Sequence, residues 1–310
     1  MPAHRIDGKE LARQERERIA ARVSALREMG AAVTLDAVLV DSGDNAARVY
    51  AENQGKACDE LGIEYRLHEL PSETPALQIE GLVRALSADP GVTAIMVHMP
   101  LPEGVDADSV KAVIAPAKDI EGVNPANIGN VIYGRSSLIP CTALAALTLI
   151  DAAGAELRGQ RAVVVGAGAT VGRPLAAVLM SREATVVSCN RWTWGIDELC
   201  RTADILIAAV GKPELVTADM VKPGAVVIDV GINRVRCEDG KTRTVGDVVY
   251  SSVAEVAGAI SPVPGGVGPM TVAMLMRNVV TAAERSIDPQ AGSEPPVQSP
   301  RGTGVGEGTS

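Results

Sequence analysis

The chain has 310 residues, room for about two domains, and its 46% hydrophobic and 22% charged content is that of a globular protein with a large core. With no Phe and only 2% aromatic residues, that core must be Val, Ile, Leu, Ala and Met, and a net charge of −9 without clustered Lys and Arg argues against nucleic acid as a partner. No apolar run approaches the ~20 residues of a membrane span, and with polar residues recurring from His4 to Arg18 no signal-peptide h-region is expected. Cys58, Cys141, Cys189, Cys200 and Cys237 are scattered, odd in number and without CxxC spacing. They fit reduced thiols in a cytoplasm, and with three His no metal site is expected.

Residues 8–28 carry an amphipathic helical pattern. Strands are expected over 34–40, 64–70 and 92–99, with helices over 46–61 and 75–87 between them. This alternation is that of βαβ units, so the expected fold class is α/β with a mainly parallel sheet. Ligands in such sheets sit beyond the carboxyl ends of the strands. The loops after Val40 and Val97 are therefore where chemistry is expected. Tyr50 and Gln54 lie four residues apart and share a helix face, although a solvated Gln beside a half-buried Tyr has the same spacing. Residues 118–130 show neither period and read as a loop, and Pro140-Cys141-Thr142 opens a helix rich in Ala and Leu.

A second unit starts near Gly159. A strand over 161–165 runs into Gly166-Ala-Gly168-Ala-Thr-Val171-Gly172-Arg173-Pro174 and a helix over 175–180. Strand, Gly-rich turn and helix is the geometry that sets a pyrophosphate on backbone N–H groups. The G-x-G-x-x-x-G spacing is one residue longer than the usual fingerprint. The next strand, 184–188, leads into Cys189-Asn190-Arg191, without the acid that an NAD site sets there. Arg173 and Arg191 suit a 2′-phosphate, which favours NADP over NAD unless both are solvated surface charges. Strands over 204–210 and 225–230 lead into Val210-Gly211-Lys-Pro213 and Gly231-Ile232, where a cofactor could lie against backbone, and Gly246-Asp247-Val248 precedes a short helix. Ser261 to Thr271 holds three Pro and three Gly, too many for a helix interior or a central strand. A long helix is expected to begin right after it, from Thr271. Beyond Ile287 the chain loses its apolar content, and 287–310 is expected to be a disordered tail.

Several motifs recur together: Tyr50, Lys56-Ala-Cys58, Pro100-Leu101-Pro102, Lys118-Asp119, Pro140–Thr142, Val171–Pro174, Ala208–Pro213, Pro223–Arg234, Gly246–Val248 and Pro262–Thr271. Through them the chain, from residue 5 to 285, resembles the methylenetetrahydrofolate dehydrogenase/cyclohydrolase family. The resemblance implies two domains flanking a cleft, in a homodimer. Residues 1–140 plus 269–286 would form the substrate domain, and 141–268 a Rossmann-type NADP-binding domain. It also implies NADP-dependent oxidation of 5,10-methylene-tetrahydrofolate, then hydrolysis of the methenyl product to 10-formyl-tetrahydrofolate. The implied catalytic positions are Tyr50, Gln54, His98 and Glu121. A folate-type substrate would meet Tyr50, Pro100, Leu101, Glu121, Pro264, Gly265 and Gly266. NADP would meet Cys141, Thr142, Gly166, Gly168, Val171, Gly172, Arg173, Pro174, Arg191, Val210, Gly211, Pro213, Gly231, Ile232 and Thr271.

The chain departs from the family pattern in the catalytic face. Gln54 stands for the family Lys that moves the proton in hydrolysis, His98 for a Gln, and Glu121 for an Asp that grips the pterin. Ala47, Ala143 and Gly168 are further replacements. Gln has no titratable proton, and Lys56, two residues on, points about 200° away. His98 titrates near neutral pH in its ordinary state and is a candidate proton carrier. Three readings follow. The first is a dehydrogenase with weak or lost cyclohydrolase activity. The second is a repurposed paralogue acting with NADP on another C–N bond, such as an imine or hydrazone, with His98 as proton donor. The third is a non-catalytic folate- or nucleotide-binding protein.

Overall fold

Alternating strand and helix periods build two parallel sheets, and helices at their faces join them. A computed structural model describes residues 2–43, 45–135, 138–236 and 240–288. The chain opens with a short strand β1 (His4–Arg5) and helix α1 (Gly8–Glu28), whose N-cap Asp7 accepts from the Lys9 and Glu10 amides. Then come β2 (Thr34–Val40), α2 (Asn45–Leu61), β3 (Glu64–Leu70), α3 (Ala76–Ala88), β4 (Ala94–Val97) and α4 (Ala107–Ala112). The three longer strands form one parallel sheet in the order β3-β2-β4. Central β2 is buried along its whole length, whereas edge strand β3 is half-exposed.

After α5 (Pro125–Ile132) and α6 (Cys141–Ala152) the second unit follows: β5 (Arg161–Val165), α7 (Gly172–Ser181), β6 (Thr185–Cys189), α8 (Ile196–Arg201), β7 (Ile205–Ala208), β8 (Val226–Asp229), the antiparallel pair β9 (Asn233–Arg236) and β10 (Thr242–Val245), α9 (Tyr250–Val253), β11 (Ala259–Ile260) and α10 (Val267–Ile287). Its sheet is parallel, in the order β1-β11-β8-β7-β5-β6. The fold is thus α/β with mainly parallel sheets. Helix α10 packs on α1 and α6 and also touches β4. One apolar core runs from Leu35 and Met96 of the first sheet, through Ile19, Leu149 and Val279 of these helices, to Val164 and Ile207 of the second.

The structure corrects four sequence expectations. Residues 118–130 are not all loop, because α5 starts at Pro125, capped by Asn124, whose side chain accepts from the Ala126 amide. Asn followed by Pro is itself a start signal, since Pro costs nothing at the first helical position. Helix α10 begins at Val267, not Thr271, because Pro269 falls in the first turn, where no intrahelical N–H bond is made and its missing N–H costs nothing. Helix α7 likewise begins at Gly172, ahead of Pro174. Strand β4 is shorter than the expected 92–99. The long-range pairing of β1 with β11 has no local signal and was not expected. Cys237 and residues 289–310, including nearly all of the expected disordered tail, lie outside the described residues. The four described cysteines are buried free thiols. Among the described residues no helix is long and apolar enough to cross a membrane.

Candidate active site

Val165, Cys189, Ala208 and Asp229 lie in register as the last residues of β5, β6, β7 and β8, so four loops leave one edge of the second sheet together. Two glycines shape the first loop. Gly166 has φ +115°, and a Cβ there would run into the Ala209 carbonyl. A Cβ on Gly172 would strike the Gly166 carbonyl, so strand end and helix start approach more closely than any side chain allows. Val171 precedes α7 with no side-chain cap, which leaves the helix N-terminus suited to an anion. Exposed Gly168 has no neighbour within 4 Å of its Cβ position, and Pro174 is buried. Arg173 donates from Nε to the Ala167 carbonyl at 3.0 Å, folding its side chain onto the turn. Arg191 is exposed and stacks on Trp192, its guanidinium carbon 5.1 Å from the ring centroid.

Two buried carboxylates, Asp229 at a strand end and Asp247 ahead of a short helix, for which the sequence suggested no role of their own, fix the other loops. Asp247 accepts from the Val210 and Gly211 amides at 2.7 and 2.9 Å and from the Asn233 side chain at 2.8 Å. Asp229 in turn accepts from the amides of Gly231, Asp247 and Val248 at 2.9 to 3.0 Å. Gly231 must lack a side chain because a Cβ would collide with the Asp247 carboxylate. Ile232 and Pro213 are exposed. Ile232 Cδ1 lies 3.9 Å from the Cβ position of Gly268, so the β8 loop meets the start of α10. There Thr271 donates to the Val267 carbonyl at 3.1 Å.

On the first sheet, Tyr50 of α2 is 44% exposed and meets the His98 ring edge-on, with centroids 5.8 Å apart. His98 follows β4 and is only 2% exposed; its amide donates to the Val38 carbonyl, and its Nε2 lies 3.4 Å from the Tyr65 hydroxyl. Burial lowers its pKa to about 4. The imidazole is therefore neutral at pH 7, which corrects the expectation that it titrates near neutrality. We expect the His98 ring resonances to stay constant from pH 8 to about 5.5 and to titrate only near 4. An NMR titration with a His98 midpoint near the ordinary ~6.5 would refute this.

Gln54, one turn after Tyr50, is buried; its Nε2 donates to Met96 Sδ at 3.0 Å, and its Oε1 accepts no hydrogen bond. Pro100 is exposed and Leu101 half-buried beyond His98. A lone bridge from Ile95 to Asp119 ties the Glu121 segment to β4. Asp119 is buried and structural: it accepts from the Asn124 amide at 2.6 Å and the Asn127 side chain at 2.9 Å. Half-buried Glu121 is raised to about 7, first by burial and then by the charge of Asp119, against a smaller pull from Lys111. The Tyr50 hydroxyl is raised too, by burial and then by Glu121. Gly122 has φ +67°, and its Cβ would press on the Leu138–Pro140 backbone at 2.7 Å.

Cys141 is packed behind the Glu121 segment, its Sγ donating to the Ile120 carbonyl at 3.2 Å, with Thr142 half-buried beside it. Asn278 of α10 also holds this segment, donating to the Ile120 and Ile139 carbonyls at 2.8 and 3.0 Å. The sequence reading missed Asn278, although a lone Asn on an apolar helix face was the signal. It missed Tyr65 as well, for which only the fold gives a reason. Gly265 and Gly266 are buried and Pro264 is exposed. A Cβ on Gly8 would collide with the Gly266 carbonyl, and the Lys9 stem lies 3.5 Å from the Cβ position of Gly265. The start of α1 thus presses against this loop.

Comparison with known proteins matches this geometry. Residues 6–121 match the tetrahydrofolate dehydrogenase/cyclohydrolase catalytic domain, and residues 140–287 the NAD(P)-binding domain of the same family. The chain is 47% identical over 285 residues to the bifunctional protein FolD of Moorella thermoacetica, covering 92% of this chain and 100% of that one. The bifunctional enzyme FolD (methylenetetrahydrofolate dehydrogenase/cyclohydrolase) of Campylobacter jejuni superposes with a TM-score of 0.86 at 37% identity, over 91% of this chain and 99% of that one. The methylenetetrahydrofolate dehydrogenase-cyclohydrolase of Trypanosoma brucei, solved with NADP cofactor and inhibitor, gives 0.85 at 33% identity, over 93% and 99%. With both domains matched in order and each relative covered almost whole, the chain belongs to the tetrahydrofolate dehydrogenase/cyclohydrolase family.

Proposed function

We propose that this chain oxidises 5,10-methylene-tetrahydrofolate to 5,10-methenyl-tetrahydrofolate with NADP, and that the hydrolytic second step is weak or lost. Family membership and the relatives' activities support the first half. The observation that carries the second is Gln54, a buried amide with no titratable proton where hydrolysis needs one. His98, which meets Tyr50 of the same helix, is neutral at pH 7, so an imidazolium does not replace the missing amine. This also removes support from a repurposed enzyme that uses His98 as proton donor.

The second sheet's edge fits a dinucleotide. Gly166 and Gly172 let the end of β5 and the start of α7 approach more closely than side chains would allow, α7 starts without a side-chain cap, and no acid follows β6 where Arg191 stands. When bound, NADP supplies the hydride acceptor. The chain's own residues then hold the reacting carbon in place: Tyr50 against the folate ring system, Glu121 on its N–H donors, and the Pro264–Gly266 loop at the cleft wall. Residues 1–140 plus 269–286 act as the substrate domain and 141–268 as the cofactor domain, except that His4–Arg5 joins the sheet of the latter. The working form in this reading is a cytoplasmic homodimer.

An assay of the purified protein with 5,10-methylene-tetrahydrofolate and NADP tests the reading. Acid quenching separates methenyl from formyl product. Methenyl accumulation is expected; absence of any folate turnover would sink the dehydrogenase assignment, and rapid formyl production would sink the hydrolytic part. A second expectation concerns pH. Ionised Glu121 accepts hydrogen bonds from the pterin and protonated Glu121 does so poorly. Because its pKa is raised to about 7, substrate binding should tighten as pH rises through 7. The step should vanish in Glu121→Gln, and an unchanged pH profile of KM in that variant would contradict the role.

A further inference from the structure

The chain has two Trp among very few aromatic residues, and both are exposed on one loop, Trp192 by 75% and Trp194 by 93%. Exposing an indole forgoes a large apolar burial, so a pair of them on one turn asks for a ligand. The turn is built to present Trp192. The Asn190 side chain accepts from the Trp192 amide at 2.9 Å, and the Asn190 amide donates to the Thr193 hydroxyl at 2.9 Å. Gly195, at φ +62°, then turns the chain into α8. The loop leaves β6 at Cys189, whose carbonyl accepts from the Gly166 amide at 2.9 Å. The loop that carries Trp192 therefore starts beside Gly166, the first residue of the glycine turn. Arg191 is stacked on its ring.

Residues just beyond the second strand of a dinucleotide-binding unit flank the adenosine half of the ligand. We infer that Trp192 is a cofactor-binding residue that stacks the adenine ring on the indole face opposite Arg191, which the NADP reading already sets at the 2′-phosphate. This rests on the NADP reading above. Stacking is shared by NADP and NAD, whereas the phosphate contact belongs to NADP alone. The two residues should therefore separate cleanly in binding.

The test uses adenosine 2′,5′-bisphosphate and adenosine 5′-monophosphate. Neither carries a nicotinamide, so neither quenches Trp by energy transfer from a distance. With only two Trp in the chain, Trp194→Phe leaves Trp192 as the sole indole, and Trp192→Phe leaves Trp194. The bisphosphate should quench the Trp194→Phe protein and not the Trp192→Phe protein. By calorimetry, Trp192→Leu should weaken both nucleotides on the order of tenfold, while Arg191→Ala should weaken the bisphosphate alone. Quenching confined to Trp194, or wild-type affinity in Trp192→Leu, would overturn the inference. If Trp192→Leu fails to melt cooperatively, the Trp194→Phe titration still decides. NADPH binding without any Trp192 response would reject the stacking and leave the NADP reading intact; no binding of NADPH to the wild-type protein would reject both.

Discussion

Replacing Gln54 by Lys is expected to raise the rate of methenyl-tetrahydrofolate hydrolysis by roughly 10²-fold or more, the span of a single general acid–base group. Position 54 lies one turn after Tyr50 on the same face of α2, so a longer side chain there extends along the face on which the proposed substrate would sit. Little is given up in the exchange. The Gln54 amide donates to a thioether, a weak acceptor, and its Oε1 is a buried acceptor with no partner. Burial will lower the pKa of the introduced amine, bringing it toward the pH at which a proton can be both taken and returned. Stopped-flow decay of methenyl substrate reads the rate directly. The dehydrogenase rate should change far less, since hydride transfer needs no proton carrier at this position. Gln54→Met, which fills the space without polar atoms, should keep both the stability and the slow hydrolysis of the wild type. A wild-type protein that already hydrolyses as fast as Gln54→Lys would show that another group, such as Glu121 with its pKa raised to about 7, moves the proton.

The alternation of β2, α2, β3, α3 and β4, and the glycine turn between β5 and α7, were legible because each rests on a local period or a local steric demand. Gly166 and Gly172 are visible as glycines in the sequence; the structure adds only which carbonyls they make room for. What was not legible depends on contacts distant in the chain. Nothing within His4–Arg5 says that it will extend the second sheet beside β11. The charge state of His98 could not be read from its identity, because it is set by burial between β4 and α2. Glu121 looked like a simple carboxylate, and its shift to about 7 arises from burial and from Asp119, which α5 encloses. Pro174 and Pro269 hide their helix starts in a different way: helices expected from residues 175 and 271 in fact begin at Gly172 and Val267, with the proline in a first turn that tolerates it.

Removing the Asp229 carboxylate should have the largest effect on stability. Asp229→Ala leaves three buried amides, of Gly231, Asp247 and Val248, without an acceptor. At about 1–3 kcal/mol for each orphaned group, the loss is about 3 kcal/mol or more, a large share of the 5–15 kcal/mol that holds a typical domain. The damage should spread, because the Asp229 bonds present Asp247, whose carboxylate holds the Val210 and Gly211 amides of the neighbouring loop. Loss of dinucleotide affinity should therefore accompany loss of stability, although Asp229 is buried away from the loop surface. Asp229→Asn keeps one acceptor oxygen and should lose less than half as much in urea denaturation; equal losses in the two variants would show that the amide bonds are not what matters. The pH dependence gives an independent check. Burial raises the Asp229 pKa from its ordinary 3.8 to about 6, outweighing the amides that favour the ionised form. The native state thus holds this proton more tightly than the unfolded chain. Its contribution is fully present below about pH 3.8 and is lost as pH rises through 6. Wild-type stability minus that of Asp229→Asn should fall across this window, and a difference that rises instead would mean that the amide bonds win over burial at this carboxylate.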